Sequence, residues 1–222
     1  MATSTVKLPP KAKPDEIQAV FRIFREASPA PRTELLYNNG YQLLVAVVLS
    51  AQATDKSVNL ATAPLFEKIH TPAEMMALGE EELLSYIRSI GLFRTKAKNV
   101  IALSHMLVDL HGGEVPQTMD ELVALPGVGR KTANVVLSQL YDHITIAVDT
   151  HVYRVARRLG MSRGTTPDAV EADLMRVIPA EFQQHAHHWL ILHGRYICLA
   201  RSPLCGQCPV AAFCHSPEKR IV

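Results

Sequence analysis

The sequence predicts an all-α fold of about ten short helices. Helix-start signals recur at Thr71, Thr118 and Thr166, where the hydroxyl residue is followed by proline at the first helical position, glutamate at the third, or both. Apolar residues between positions 152 and 159 recur at the spacing of one buried helical stripe. Two segments could form strands, but residues 43–49 extend to helical length and residues 144–148 are too isolated to find sheet partners.

The remaining segments fit this fold in chain order. Residues 1–14, MATSTVKLPPKAKP, mix proline, lysine and hydroxyl residues without periodicity and are predicted to be a flexible tail. The apolar run at residues 43–51 is flanked by sequence that lengthens it, so we predict a fully buried helix. No internal repeat or low-complexity tract interrupts the chain.

Length and composition are those of a globular protein. The chain has 222 residues, 48% hydrophobic and 20% charged, and a chain of this size buries roughly 70% of its unfolded surface. The net charge of +2 does not by itself indicate nucleic acid, but residues 83–108 contain four bases and no acid. A solvated surface is the simpler explanation of that charge alone.

No stretch of the sequence directs the chain to or across a membrane. No apolar segment follows Met1 as in a secretory signal, and the longest apolar run is too short to span a bilayer. We therefore predict a soluble, cytoplasmic protein, associated with the nucleoid if the source is bacterial.

The stretch LPGVGRKTANVV, residues 125–136, predicts two helices joined by a tight turn. Pro126 ends the first helix, Gly127 and Gly129 permit tight backbone geometry, and residues 130–140 form the second helix. The exposed amides of such a hairpin can hold a backbone phosphate without reading a base. A plain helical corner with a glycine C-cap is the better explanation of the short motif when it is taken alone.

Arg130 and Lys131 follow the turn at a helix N-terminus, where cations are disfavoured. A bound phosphate would supply the missing negative charge. The like charge of Arg130, the helix dipole and partial removal from water would favour a neutral Lys131 amine, which can attack carbon and form a Schiff base. A phosphate-pairing or solvated lysine is the commoner role and stays open at this point.

Asp149, in AVDTHVYRV, is the second candidate for chemistry. It stands where the helix that begins near Thr150 needs an N-cap, which is a routine structural role. A carboxylate facing the Lys131 site could also stabilise positive charge on a sugar or assist proton transfer. The two roles are compatible.

All four cysteines lie within 17 residues near the C-terminus, spaced C-x6-C-x2-C-x5-C. They are Cys198, Cys205, Cys208 and Cys214. In a reducing compartment this crowding favours a metal over disulfides. Four thiolates suit zinc and an iron-sulfur cubane equally, and His215 adds a Cys/His zinc site as an alternative. The histidines within residues 185–193 lack an acidic partner and are predicted to pack.

Four motifs together resemble the endonuclease III family, the helix-hairpin-helix DNA glycosylase/AP lyases of base excision repair. They are LLVAVVLSAQATD, LPGVGRKTANVV, AVDTHVYRV and HHWLILHGRYIC with its trailing cysteines. The resemblance starts at about residue 15 and keeps the motif order. It implies two helical lobes with a DNA-binding cleft between them: a six-helix barrel lobe with the hairpin at residues 33–143, and an iron-sulfur lobe from residues 15–32 plus 144–222.

The resemblance also implies the chemistry. Lys131 would attack C1′ of a flipped-out nucleotide, expel an oxidised pyrimidine and allow β-elimination through the Schiff base, while Asp149 stabilises the sugar cation and activates the lysine. Flipping costs a few kcal/mol, least for a damaged base. The implied partner is double-stranded DNA with damaged bases or abasic sites, bound by a monomer without a membrane, and the implied cofactor is a [4Fe-4S] cluster on the four cysteines.

Contacts with DNA follow from the same resemblance. Gln52 of SAQATD and Leu92 of IGLF would hold the gap open, and Arg94 and Lys96 make the Leu92 loop an apolar wedge among bases. The other implied contacts are Gly127, Val128, Gly129, Arg130 and Arg201. Arg201 is the only base in LARSPL, which implies weaker contact through this loop than is usual in the family. Core packing of Leu92 and solvation of Gln52 stay open.

Two other functions compete with this one. A monofunctional glycosylase is disfavoured because such relatives lack a lysine at the position of Lys131. A non-catalytic DNA-binding or redox-sensing module would keep the fold and cluster, but the presence of Lys131 and Asp149 argues against it.

Overall fold

The computed structural model describes residues 9–220, and all regular structure in that range is helical. It comprises ten α-helices and two short 3-10 helices, with no strand between residues 9 and 220. The α-helices are α1 Pro14–Ala27, α2 Gly40–Ser50, α3 Asp55–Phe66, α4 Pro72–Ile87, α5 Phe93–His111, α6 Met119–Ala124, α7 Arg130–Tyr141, α8 Thr150–Arg158, α9 Pro167–Val177 and α10 Ala180–Tyr196. The all-α prediction is confirmed.

The predicted helix-start signals act as caps. The Thr71 hydroxyl accepts from the Glu74 N–H at 3.2 Å, and the Glu74 carboxylate accepts from the Thr71 N–H at 2.9 Å, which completes a capping box. Thr118 and Thr166 accept in the same way at the starts of α6 and α9. Each such cap typically contributes about 1 kcal/mol.

The chain divides into two compact units, each with its own apolar core. One unit is residues 33–143. The other combines residues 9–32 with residues 144–220. No helix among the described residues is long and apolar enough to cross a membrane.

In the unit of residues 33–143, α2 is the central helix and is buried from Tyr41 to Leu49, as predicted. It packs against α3, α5 and α7. Its buried Gln42 amide donates to the carbonyls of Phe66 and Ile69 at 2.9 and 2.8 Å, so this core polar group is satisfied. The fixed position of α2 determines where the chain leaves it, at the turn that contains Gln52.

In the other unit, α1 and α10 pack through aromatic residues, and α10 also packs on α8. Phe21 lies 5.8 Å from Phe182 and 6.0 Å from Trp189, measured between ring centroids. The Trp189 indole N–H donates to the Ser28 carbonyl at 2.8 Å. Gly194 allows close approach of α8 and α10, because a β-carbon there would lie 2.8 Å from the His151 β-carbon.

Part of the predicted flexible tail is packed against this unit. Residues 1–8 lie outside the described residues, but the Ala12 N–H donates to the Gly160 carbonyl at 3.0 Å. Gly160 has φ +71°, and a β-carbon on it would come within 2.3 Å of the Pro10 carbonyl oxygen. Residues 9–13 are thus held by a turn about 150 positions further along the chain, a contact that local composition does not show.

Candidate active site and cysteine loop

The hairpin between α6 and α7 is anchored by two buried apolar residues, Leu125 and Val128. The Val128 N–H donates to the Leu125 carbonyl at 3.1 Å, which closes the turn. Gly127 has φ +80°, and a β-carbon there would lie 2.8 Å from Nδ2 of Asn99. Glycine is therefore required at position 127 by both conformation and space.

The first turn of α7 presents its amides without a side-chain acceptor from its own cap, because the N-cap is Gly129. Arg130 and Lys131 follow, and both are exposed. The expectation that Lys131 is partly removed from water was wrong, because the buried stripe of α7 begins only at Ala133. An exposed amine at a helix N-terminus can meet a large anionic substrate.

Asp149 is the N-cap of α8, as predicted. Its Oδ1 accepts from the backbone N–H groups of His151 and Val152, both at 2.8 Å. Both cap bonds use Oδ1, so Oδ2 stays outside them. A half-buried carboxylate held in this way is fixed in orientation and keeps one oxygen for chemistry.

Arg154, which the sequence analysis did not identify, lies one turn further along α8 and connects it to the cysteine loop. Its guanidinium donates to the carbonyls of Cys198 at 2.9 Å and Gly194 at 2.7 Å, and Nη2 lies 3.2 Å from Nδ1 of His151. A guanidinium can only donate, so Nδ1 of His151 is the acceptor in this contact. The signal in the sequence was the three-residue spacing from His151 to Arg154.

Gln52 and Leu92 lie on neighbouring turns, and both adopt left-handed backbone conformations, with φ of 55° and 59°. A β-carbon on Gly91 would lie 3.9 Å from the Gln52 carbonyl oxygen, which places the two turns side by side. Leu92 is 61% exposed, so core packing does not explain it, and Gln52 is exposed as well. Left-handed non-glycine residues cost about 1–3 kcal/mol and cluster at ligand-contacting sites.

The two predicted basic residues beside Leu92 differ in their exposure to solvent. Arg94 is exposed, with its guanidinium carbon 5.7 Å from the Phe93 ring centroid. Lys96 is only 5% exposed, so the prediction that it contacts DNA from the surface was wrong. Because α5 begins at Phe93, Lys96 lies on the same buried helical face as Val100.

The four cysteines meet around one cavity at the end of α10. Cys198 follows the last turn of that helix, Cys205 begins one 3-10 helix and Cys208 follows it, and Cys214 follows the other 3-10 helix. Arg201, the predicted DNA contact of this loop, is exposed. All four cysteines therefore line one cavity, although no three His, Cys, Asp or Glu side chains within residues 9–220 are placed to hold a single metal ion.

Comparison with known proteins identifies the family. Residues 45–180 match the model of the HhH-GPD superfamily base excision DNA repair proteins, and residues 198–214 match that of the iron-sulfur binding domain of endonuclease III. Endonuclease III of Rickettsia felis is 55% identical over 206 residues, which covers 93% of this chain and 97% of the relative. The chain belongs to the endonuclease III family.

Solved structures agree with this assignment. A non-covalent Endonuclease III–DNA complex and a trapped Endonuclease III–DNA covalent intermediate each share 47% identity, with a TM-score of 0.86. The match covers 92% of this chain and 96% of theirs. The predicted family is confirmed, and as a member of this family the chain is a bifunctional DNA N-glycosylase and AP lyase.

The endonuclease III cofactor is a [4Fe-4S] cluster. This decides between the zinc ion and the iron-sulfur cluster that the cysteine spacing left open. The cavity fits it, because all four lining thiols are potential ligands. Burial raises the pKa of Cys208 to about 11 and also raises the pKa of Cys214. These thiols hold their protons at neutral pH until a metal displaces them, so cluster assembly releases protons.

The side chains of Arg158 and His193 contact two of the cysteine sulfurs. Arg158 Nη1 donates to Cys198 Sγ at 3.5 Å and to the Leu199 carbonyl at 2.6 Å. His193 Nε2 lies 3.7 Å from Cys208 Sγ, and burial lowers the pKa of His193 to about 4. Such outer groups orient metal ligands, and neither was identified from the sequence.

Proposed function

We propose that this enzyme removes oxidised pyrimidines from double-stranded DNA as a monomer and cleaves the abasic site, with Lys131 as the nucleophile. The observation that carries the proposal is the exposed Lys131 amine in the first turn of α7, directly after the glycine turn. A relative, 47% identical, has been solved as a trapped covalent intermediate with DNA. Lys131 is the amine of the hairpin that can form such a bond.

The proposed reaction balances without an added oxidant or reductant. The neutral Lys131 amine attacks C1′, and the bond from C1′ to the base breaks, so the base leaves with the electron pair and takes up a proton. Opening of the sugar ring gives the Schiff base between the Lys131 nitrogen and C1′. Loss of a C2′ proton then expels the 3′ phosphate, and water releases the lysine.

Asp149 supplies negative charge in this scheme. Oδ1 is held by the α8 amides, so the carboxylate needs no reorganisation when positive charge develops on the sugar. It also accepts the proton that Lys131 must lose before it attacks.

Gln52 and Leu92 are proposed to occupy the space that the flipped nucleotide leaves. Their adjacent turns and exposure support this role, since an apolar wedge and an amide can replace stacking and pairing together. Arg94 and the hairpin from Gly127 to Arg130 are proposed to hold the phosphates on either side. The cluster, when bound, ties together the chain segments that carry its four cysteines, and Arg201 contacts the backbone.

Borohydride trapping tests the nucleophile. Reduction during incubation with abasic duplex DNA should convert the Schiff base into a stable cross-link in the parent protein and in Lys98→Ala, a control that removes another exposed lysine of the same unit. The Lys131→Ala variant should give no cross-link on denaturing gels. Trapping of Lys131→Ala as efficient as that of the parent would assign the chemistry to another amine.

A further inference from the structure

Lys96 has hydrogen-bonding capacity that the free protein does not use. It is 5% exposed, and within residues 9–220 its Nζ has no hydrogen-bond partner. Lys98, two positions further along the same helix, is exposed. The lysine at position 96 is therefore the unusual one of the pair.

A buried amine without an acceptor opposes folding. Leaving a buried donor unsatisfied is unfavourable, and burying its charge is more unfavourable still. Burial accordingly lowers the pKa of Lys96. An apolar side chain of the same length would fill the site without this penalty, so the amine is not explained by the stability of the free protein.

The position of Lys96 relates it to the proposed DNA-contacting turns. It lies in the first turn of α5, where side chains lean toward the helix N-terminus, and that helix starts directly after Leu92. This end of α5 has no side-chain cap bond and no acid in its first turn. The Gln52 turn lies beside it, within 3.9 Å of the β-carbon position of Gly91.

Both turns are strained, with their exposed side chains on left-handed residues. Two strained turns lie near the Lys96 amine, which has no acceptor within residues 9–220. When a ligand binds, such turns can change to a second conformation in which the amine is hydrogen-bonded.

We propose that Lys96 is a positioning residue for these two turns. Its amine donates hydrogen bonds to their main-chain carbonyls when Gln52 and Leu92 enter the duplex, and so holds both side chains in the gap. In the complex these hydrogen bonds offset the free-energy cost of burying the Lys96 amine. This role rests on the proposed DNA function and replaces the surface phosphate contact that the sequence predicted for Lys96.

The test compares Lys96→Met with the control Lys98→Met in the cluster-loaded protein. Melting temperature and affinity are measured for an undamaged duplex and for one with a tetrahydrofuran abasic analogue. Lys96→Met should melt at the same or a higher temperature and bind the undamaged duplex like the parent, but bind the analogue about tenfold more weakly, or about 1.4 kcal/mol. Lys98→Met should leave the ratio of the two affinities unchanged.

Fluorescence of 2-aminopurine opposite the analogue provides a second readout, because it reports whether side chains fill the gap. Its change on binding should be smaller with Lys96→Met than with the parent. A purely structural lysine would instead lower the melting temperature and weaken both duplexes in proportion, which would overturn the proposal, as would an unchanged affinity ratio. A parent protein with no preference for the analogue would count against the proposed function itself.

Discussion

Asp149 combines a structural and a proposed chemical role on one carboxylate. Its Oδ1 caps α8 by accepting from two N–H groups, and asparagine can fill that role. Stabilising the positive charge that develops on the sugar, in contrast, requires an ionised carboxylate. The two roles can therefore be separated by substitution.

We expect Asp149→Asn to keep the stability of the parent within about 1 kcal/mol, because the cap acceptor is retained. Single-turnover base removal should slow by about 100-fold or more, because the charge is lost. Asp149→Ala should slow the reaction and also lose about 1 kcal/mol of cap energy in urea denaturation. Normal base removal by Asp149→Asn would show that the residue acts only as a cap.

Contacts between residues close in sequence were predictable, whereas contacts between distant residues were not. The caps at Thr71, Thr118 and Asp149 were predictable because each bond joins positions two or three apart. The burial of Lys96 was not, because it depends on where α5 starts and hence on the left-handed Leu92. The bond from Arg154 to Cys198 spans 44 positions, so only the folded chain shows it.

At the scale of elements, the hairpin works because its two glycines differ. Gly127 has a positive φ and packs on Asn99, whereas Gly129 has open space around it and no positive φ. The sequence predicted a tight turn at both, but it did not distinguish the conformations. Asn99 is outside the motif, which is why the packing requirement was not predicted.

Gly127→Ala should lower the free energy of unfolding by about 1–3 kcal/mol, since alanine is strained at this φ and its β-carbon meets the Asn99 amide. Gly129→Ala is the matched control in the same turn and should lose less than about 1 kcal/mol. Urea denaturation followed by circular dichroism measures both. Equal losses from the two variants would contradict this account of the turn.

At the scale of the whole molecule, buried histidines connect stability to pH. His188 is 4% exposed, and burial lowers its pKa to about 3, with further lowering from His187, His185 and Arg195. The unfolded chain binds a proton near pH 6.5, where the folded chain does not. Stability from this residue is therefore present above that pH and is lost as the pH falls.

Between pH 6.5 and 4.5, the free energy of unfolding should fall with a slope approaching about 1.4 kcal/mol per pH unit for this histidine. The acids Glu16, Glu74 and Asp173, whose pKa values are lowered in the folded protein, also lose their stabilising contribution as the pH approaches 4.5, so the histidine contribution is the difference between the parent and His188→Gln. His188→Gln should show a shallower slope in denaturation series at several pH values. An identical slope in both proteins would show that His188 does not titrate on unfolding.

The two units divide the proposed chemistry: residues 33–143 carry Lys131 and the wedge turns, and the other unit carries Asp149 and the cluster loop. The family motifs allowed both sets to be named from sequence. The exposure of Lys131 was not predicted, because it follows from the register of α7 in its core.

The proposed chemistry depends on a bond between the Lys131 amine and C1′ of the damaged nucleotide. Peptide mass spectrometry of the borohydride-trapped adduct, formed with the parent protein and an abasic duplex, tests it most directly. The sugar remnant is expected on the peptide that contains Lys131, attached to that residue. A remnant on any other lysine or on the N-terminal amine would contradict it.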